Sequence, residues 1–181
     1  MHFLDCFKND YYRMTGIKFN PSSFKKNYIK YHNIRFMYHF RRYQSSNNIF
    51  DRFMLEKYKR KYGLEISVNS TIGEGLYLGH AYNITINGEA VIGKNVNIHK
   101  GVTIGCENRG TREGAPTIGD RVYIGVNSTV VGKITIGDNV MIAPNTFVNF
   151  DVPANSIVVG NKARIITDKE DATKGYIGFC V

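Results

Sequence analysis

Along the middle of the chain the apolar positions keep a period of six. An aliphatic residue stands at Ile66, Ile72, Leu78 and Ile84, shifts by two, and returns at Ile86, Ile92, Ile98 and Ile104. After a longer gap it resumes at Ile118, Ile124, Val130, Ile136, Ile142 and Val148. This spacing fits neither an α-helix nor the simple alternation of a two-faced strand, and repeated hexapeptides predict a parallel β-helix. A second small or apolar residue comes four places later, at Leu76, Ala90, Val96, Val102, Val122, Ser128, Val140 and Thr146. Both sets are expected to point into the coil. Gly73, Gly93, Gly119, Gly125 and Gly137, with Asn95, Asn127, Asn139 and Asn145, are expected at corners. Glycine and asparagine accept left-handed backbone angles there at least cost.

Before the repeat the spacing changes to that of helices. Phe24, Tyr28, Tyr31, Phe36 and Phe40 lie among Lys25, Lys26, Lys30, Arg35, Arg41 and Arg42. The preceding Asn20-Pro21-Ser22-Ser23 is a break that ends one helix and caps the next. The predicted architecture is therefore mainly β. A basic helical region covers residues 1–62, a β-helix with an extruded loop at 105–117 covers 63–166, and a tail follows at 167–181.

Composition narrows the class. The 181 residues suffice for one domain with an appendage. No apolar run reaches the roughly 18 residues of a membrane span, and the opening MHFLDCFKND lacks the apolar core of a signal peptide, so a cytoplasmic protein is expected. Cys6, Cys106 and Cys180 are odd in number and widely spread, which suits reduced thiols and offers no zinc spacing. The formal net charge of +9 is uneven: residues 1–62 hold 14 Lys and Arg against 4 Asp and Glu. Two readings of that basic region stand side by side. One is a solvated face of helices capping the coil; the other is docking on an anionic membrane surface, at the inner membrane face, or on a lipid-linked carrier. No nucleic-acid-binding motif accompanies the charge.

Two departures from the period carry the candidate chemistry. Fourteen residues separate Ile104 from Ile118, so eight residues, within GCENRGTREGAPT, are thrown out as a polar loop. Loops on rigid scaffolds are where binding and catalytic groups gather. Two extra residues also lie between Leu78 and Ile86, just after His80. His99, within an uninterrupted hexapeptide, is expected on the coil surface or at a subunit contact. Two histidines in the coils fall short of the three a zinc site of this kind requires, so no metal is expected.

The segments GLYLGHAYNITINGEAVIG, GVTIG with the loop after it, PTIGDRVYIGVNSTVVGKITIGDNVMIAPNT and DVPANSIVVGNKARII resemble the left-handed β-helix domain of serine O-acetyltransferases and of their relatives among capsule and exopolysaccharide O-acetyltransferases. The opening FKNDYYRMTG, with its short helical region, resembles the polysaccharide-locus relatives more closely. The resemblance implies a homotrimer with active sites between subunits and acetyl-CoA as co-substrate. His80 matches the general base that takes the acceptor's hydroxyl proton. An alcohol is a poor nucleophile at neutral pH, and imidazole, with an unperturbed pKa of about 6.5, can accept its proton and return one to the departing thiolate. Glu65 matches the partner carboxylate, with Glu in place of Asp; an ordinary exposed carboxylate is the alternative.

For the donor, the resemblance implies backbone contacts at Gly105, Cys106, Gly125 and Val126, with Lys162 and Arg164 near the phosphates or else simple surface cations. For the acceptor it points to the positions of Gly79, Gly114 and Ala115, where polar groups of serine acetyltransferases are missing. Arg109, Arg112 and Glu113 are candidate substitutes from the loop. These losses favour a bulky neutral acceptor, and the main expectation is O-acetylation of a sugar hydroxyl in a surface polysaccharide or its precursor. Serine O-acetylation for cysteine synthesis is the enzymatic alternative, and a non-catalytic β-helical scaffold is the alternative of another class.

Overall fold

The computed structural model describes residues 3–181. Four helices come first: α1 (Phe3–Thr15), α2 (Pro21–Lys30), α3 (His32–Ser46) and α4 (Ile49–Tyr62). Asn20 caps α2 by accepting the Ser23 N–H at 2.9 Å, with Pro21 in the first turn. Asn47 and Gly63, both with left-handed angles, end α3 and α4.

A left-handed parallel β-helix of about five turns follows. Its first face stacks β1 (Leu64–Ile66), β4 (Ile84–Ile86), β7 (Thr103–Gly105), β10 (Thr129–Val131) and β13 (Phe147–Val148). The second stacks β2 (Thr71–Ile72), β5 (Val91–Ile92), β8 (Thr117–Ile118) and β11 (Thr135–Ile136). The third stacks β3 (Tyr77–Gly79), β6 (Asn97–His99), β9 (Tyr123–Ile124), β12 (Met141–Ile142) and β14 (Ile157–Val159) in parallel, and β15 (Arg164–Ile166) closes it antiparallel to β14. In a regular turn one residue lies over another eighteen away, as Thr129 does with Phe147. Both apolar sets of the hexapeptide are interior: Leu78, Val96, Ile98, Val102, Ile124 and Val140 are fully buried, and Ser128 with them.

The corner residues divide by cause. Asn95, Asn127, Asn139 and Asn145 have φ of 53–57°, the left-handed bend expected of them. The glycines beside the aliphatics do not have it. A Cβ on Gly73 would lie 2.6 Å from the Gly93 carbonyl oxygen, so close stacking of successive turns, rather than a left-handed bend, excludes a side chain there.

The first turn exposes three strand edges, and the helices cover all of them. Arg41 donates to the carbonyls of Ile72 at 2.7 Å and Gly73 at 2.6 Å while holding Asp10 through two nitrogens. Asp10 in turn accepts the Leu76 N–H at 2.9 Å. Gln44 donates to the carbonyls of Val68 and Ser70. An open end is a template for unwanted pairing, and these contacts remove it. Between the helices lies a second buried network, in which Asp51 accepts from His39 and Arg42 while His39 meets the Tyr28 hydroxyl.

The tail runs back along the corner between the second and third faces. Asn139 donates to the Glu170 carbonyl, Asn97 to that of Tyr176 and Asn95 to that of Val181, and Arg13 of α1 donates to Gly178. Tyr176 also lies 4.8 Å, ring to ring, from Tyr123. Tyr123 is therefore covered by its own chain.

Candidate functional site

His80 is itself part of the two-residue irregularity. Gly79 stands in register with His99, twenty residues on, whereas at the next corner the offset has returned to eighteen, since Gly101 N–H bonds to the Tyr82 carbonyl and so lies over Asn83. Asn83 N–H itself bonds to the Tyr62 carbonyl, and past the extruded loop Asn127 N–H bonds to that of Lys100. The extra residues are thus His80 and Ala81, bulged out of the ladder just past β3. His80 is exposed with φ 49°, while Ala81 is buried. Away from the bulge, every left-handed residue between Gly63 and Gly160 is Gly or Asn except Arg121.

The bulge opens on a cleft of about 450 Å³ between the first turn and the helices, with Met14, His32, Asn33, Tyr77, His80 and Tyr82 among its walls. His32 Nε2–H donates to the Ala81 carbonyl at 2.7 Å, and Asn33 Nδ2–H to the Leu78 carbonyl at 3.2 Å.

Glu65 lies outward on β1, opposite Thr85, and faces Lys59 at 3.6 Å. No hydrogen bond joins it to His80 among the described residues. His99 belongs to the site's surroundings instead of to a bare coil surface. Its ring lies over Gly79, packs 4.9 Å from the Tyr123 ring, and leaves Nε2 buried without a partner. Burial, and then the charge of His80, hold the His99 imidazole below the usual histidine range.

The remaining candidates divide between the two edges of the first face. One edge carries His80, then Val126 with Gly125, and finally Lys162, since Gly160 N–H reaches the Thr146 hydroxyl at the next corner. Arg164 follows, exposed, on β15. The other edge carries Gly105, Cys106 and the extruded loop. That loop is a short hairpin: Glu107 and Gly114 exchange both backbone hydrogen bonds, Arg112 faces Glu107 at 3.3 Å, and Lys133 N–H reaches the Arg112 carbonyl. Arg112 is therefore paired within the loop. Arg109 and Glu113 are exposed and Ala115 is half-buried. Cys106 Sγ contacts Asn87 and Asn108. One chain thus places His80 and the loop on opposite edges of a face.

Gly79 and Gly114, where polar groups of serine acetyltransferases are missing, sit in positions that do not readily take a side chain. A Cβ on Gly79 would sit 2.6 Å from the His99 ring, so that space is already filled, and Gly114 has φ 122°, which a side chain would strain.

Residues 115–149 match the model of the bacterial transferase hexapeptide, six repeats. The chain is similar to serine acetyltransferases. It is 39% identical over 105 residues to the serine acetyltransferase of Helicobacter pylori, covering 58% of this chain and 61% of that protein. It is 38% identical over 125 residues to serine acetyltransferase 2 of Arabidopsis thaliana, covering 64% of this chain and 39% of that one. The chain therefore spans about three fifths or less of these relatives. Among solved structures, the soybean serine acetyltransferase apoenzyme aligns with a TM-score of 0.74 at 26% identity, over 91% of this chain and 69% of that one. The Neisseria gonorrhoeae serine acetyltransferase in complex with serine gives 0.70 at 28%, with the same coverage. These relatives do not support the expected nearness to capsule and exopolysaccharide O-acetyltransferases. No helix among the described residues is long and apolar enough to cross a membrane.

Proposed function

We propose that this hexapeptide-repeat protein transfers the acetyl group of acetyl-CoA to the hydroxyl of serine, giving O-acetylserine, and that it does so as a homotrimer. The names of its relatives favour this acceptor over the sugar hydroxyl. The observation that carries the reading is the edge shared by His80 and Lys162. They stand about four turns apart, roughly 19 Å at the spacing of stacked strands. That is comparable with the extended pantetheine arm between a CoA thioester and its nucleotide phosphates.

In this arrangement His80 accepts the serine hydroxyl proton as the oxygen attacks the thioester carbonyl, and the proton goes to the thiolate as the C–S bond breaks. Lys162 and Arg164 face the phosphates, and the backbone at Gly125 and Val126 lies along the arm. Gly105, Cys106 and the loop, with Arg109 and Glu113, come from the neighbouring subunit's edge. Glu65 is the carboxylate nearest in role: once Lys59 moves aside, it can orient the imidazole. An exposed pair such as Lys59–Glu65 contributes little and does not oppose that exchange. The exposed Ile49, Phe50 and Phe53 of α4, near Arg52 and Arg60, are the surface a membrane contact would use.

Thiol release from acetyl-CoA decides the acceptor. The expected result is saturable activity with L-serine, with kcat/KM in the ordinary enzymatic range of about 10⁴ M⁻¹s⁻¹ or more. Feeble serine activity beside efficient acetylation of a purified surface glycan would replace serine by the sugar. Inactivity toward both would leave a binding module.

A further inference from the structure

We infer that His32 and Asn33, at the start of α3, are positioning residues that hold the His80 imidazole for transfer; the inference rests on His80 being the base. The bulge needs such support. His80 and Ala81 are the two residues that the ladder of the first turn does not accommodate, and backbone rungs resume only at Asn83. His80 also holds a left-handed angle that almost everywhere else in the coil is given to Gly or Asn. A non-glycine residue keeps that angle only when its surroundings fix it.

Two side chains supply the fixation, one on each side. Asn33 binds the carbonyl of Leu78, two residues before His80, and His32 binds the carbonyl of Ala81, the residue after it. A carbonyl only accepts, so His32 carries a proton on Nε2. Its ring is wedged between Tyr62, stacked at 4.2 Å and 22°, and Tyr82 at 4.8 Å. The helical cap therefore reaches the candidate base through backbone atoms on both sides of it. Gln44 makes the same kind of edge contact at Val68 and Ser70, but there it seals an ordinary corner. The difference between the two sets of contacts is what they hold, and it gives the test its control.

The test compares steady-state kinetics of wild type, His80→Ala, His32→Ala, His32→Phe, His32→Gln, Asn33→Ala and Gln44→Ala, with thermal unfolding and amide exchange of each. A displacement of about 1 Å at a reacting group costs up to about 10²-fold. His32→Ala and Asn33→Ala are expected to lower kcat about 10- to 100-fold with KM for acetyl-CoA within about twofold, and to speed exchange at Gly79, His80 and Ala81. His32→Phe keeps the stacking but lacks the donor, and should be as slow as His32→Ala. His32→Gln restores a donor and should recover most of the rate. Gln44→Ala should match wild type.

Equal rates for His32→Gln and His32→Phe, or a loss that only tracks the folded fraction, would reduce the pair to edge sealing and overturn the inference. Full turnover by His32→Ala beside a dead His80→Ala sinks the positioning role alone. Full turnover by His80→Ala, or an inactive wild type, sinks the base assignment and the positioning role with it.

Discussion

The imidazole of His99 occupies the space into which a side chain at Gly79 would project, with Nδ1 and Cε1 each 2.6 Å from the missing Cβ. The two positions are coupled across the β3–β6 register. Gly79→Ala should therefore destabilise the protein by about 1–3 kcal/mol, the usual cost of overpacking. The same change in a His99→Ala background should cost distinctly less. Denaturant midpoints of the four proteins give the coupling, and additive effects would mean that the two residues do not share this space.

His80→Ala should lower turnover by about 10²–10⁴-fold, the range for losing a positioned general base, while acetyl-CoA affinity stays near wild type. Glu65→Gln should give a smaller loss. Wild-type kinetics for Glu65→Gln would return that carboxylate to its Lys59 ion pair and to the surface.

His80 and the extruded loop stand on opposite edges of the first face, so a shared site draws them from different chains. A His80→Ala variant and a variant deleted for residues 108–114 should each be inactive and still trimeric. Co-assembled at equal amounts, they should recover about a quarter of wild-type activity, because a random neighbour pair combines an intact base with an intact loop in about one case of four. Sedimentation checks the assembly. No recovery in verified mixed trimers would place the site within one chain.

The acid limb of stability should depend on Asp51. Burial opposes its ionisation, but hydrogen bonds from Arg42 and His39 outweigh burial and hold the carboxyl below its usual range. Its contribution is thus fully present above the unfolded carboxylate value of about 4 and is lost as pH falls through the lower folded value. Asp51→Asn should cost roughly 2–3 kcal/mol at neutral pH, less than for a fully buried pair because Arg42 is partly exposed, and should flatten the acid limb. An unchanged acid limb in urea titrations at successive pH values would contradict this.

The coil was legible because its cause is local and repeated. Each Ile or Val six places on contributes the same inward contact, so the period names the fold, and an eight-residue surplus after Ile104 names the loop. The Asn20 cap was legible for the same reason. Contacts between distant segments leave no such trace. Nothing in IHK tells that His99 lies over Gly79, and nothing in YHN tells that His32 and Asn33 grip the turn after β3. The stacking role of Gly73 and Gly93 was misread as a bend because glycine answers both demands. At Gly79 the sequence shows the absent side chain and not the His99 ring that fills its place. Even the bulge was placed one step late, after His80 rather than at it, since only the return to register at Asn83 shows which residues are extra.

A stack of like turns ordinarily behaves as a one-dimensional array, in which each turn is held by its neighbours and the ends come apart first. The tail changes that behaviour here. It leaves the last turn at Glu170, descends past Asn139 and Asn97, and finishes on Asn95, with Arg13 of α1 bound to Gly178. The last turn is tied to the second and, through Arg13, to the Gly75 carbonyl of the first, and the array becomes a closed circuit. Neither end can fray without first releasing the other, so heat should open the molecule in a single cooperative step, and a chain cut after Ile166 should instead melt progressively from the far end of the coil.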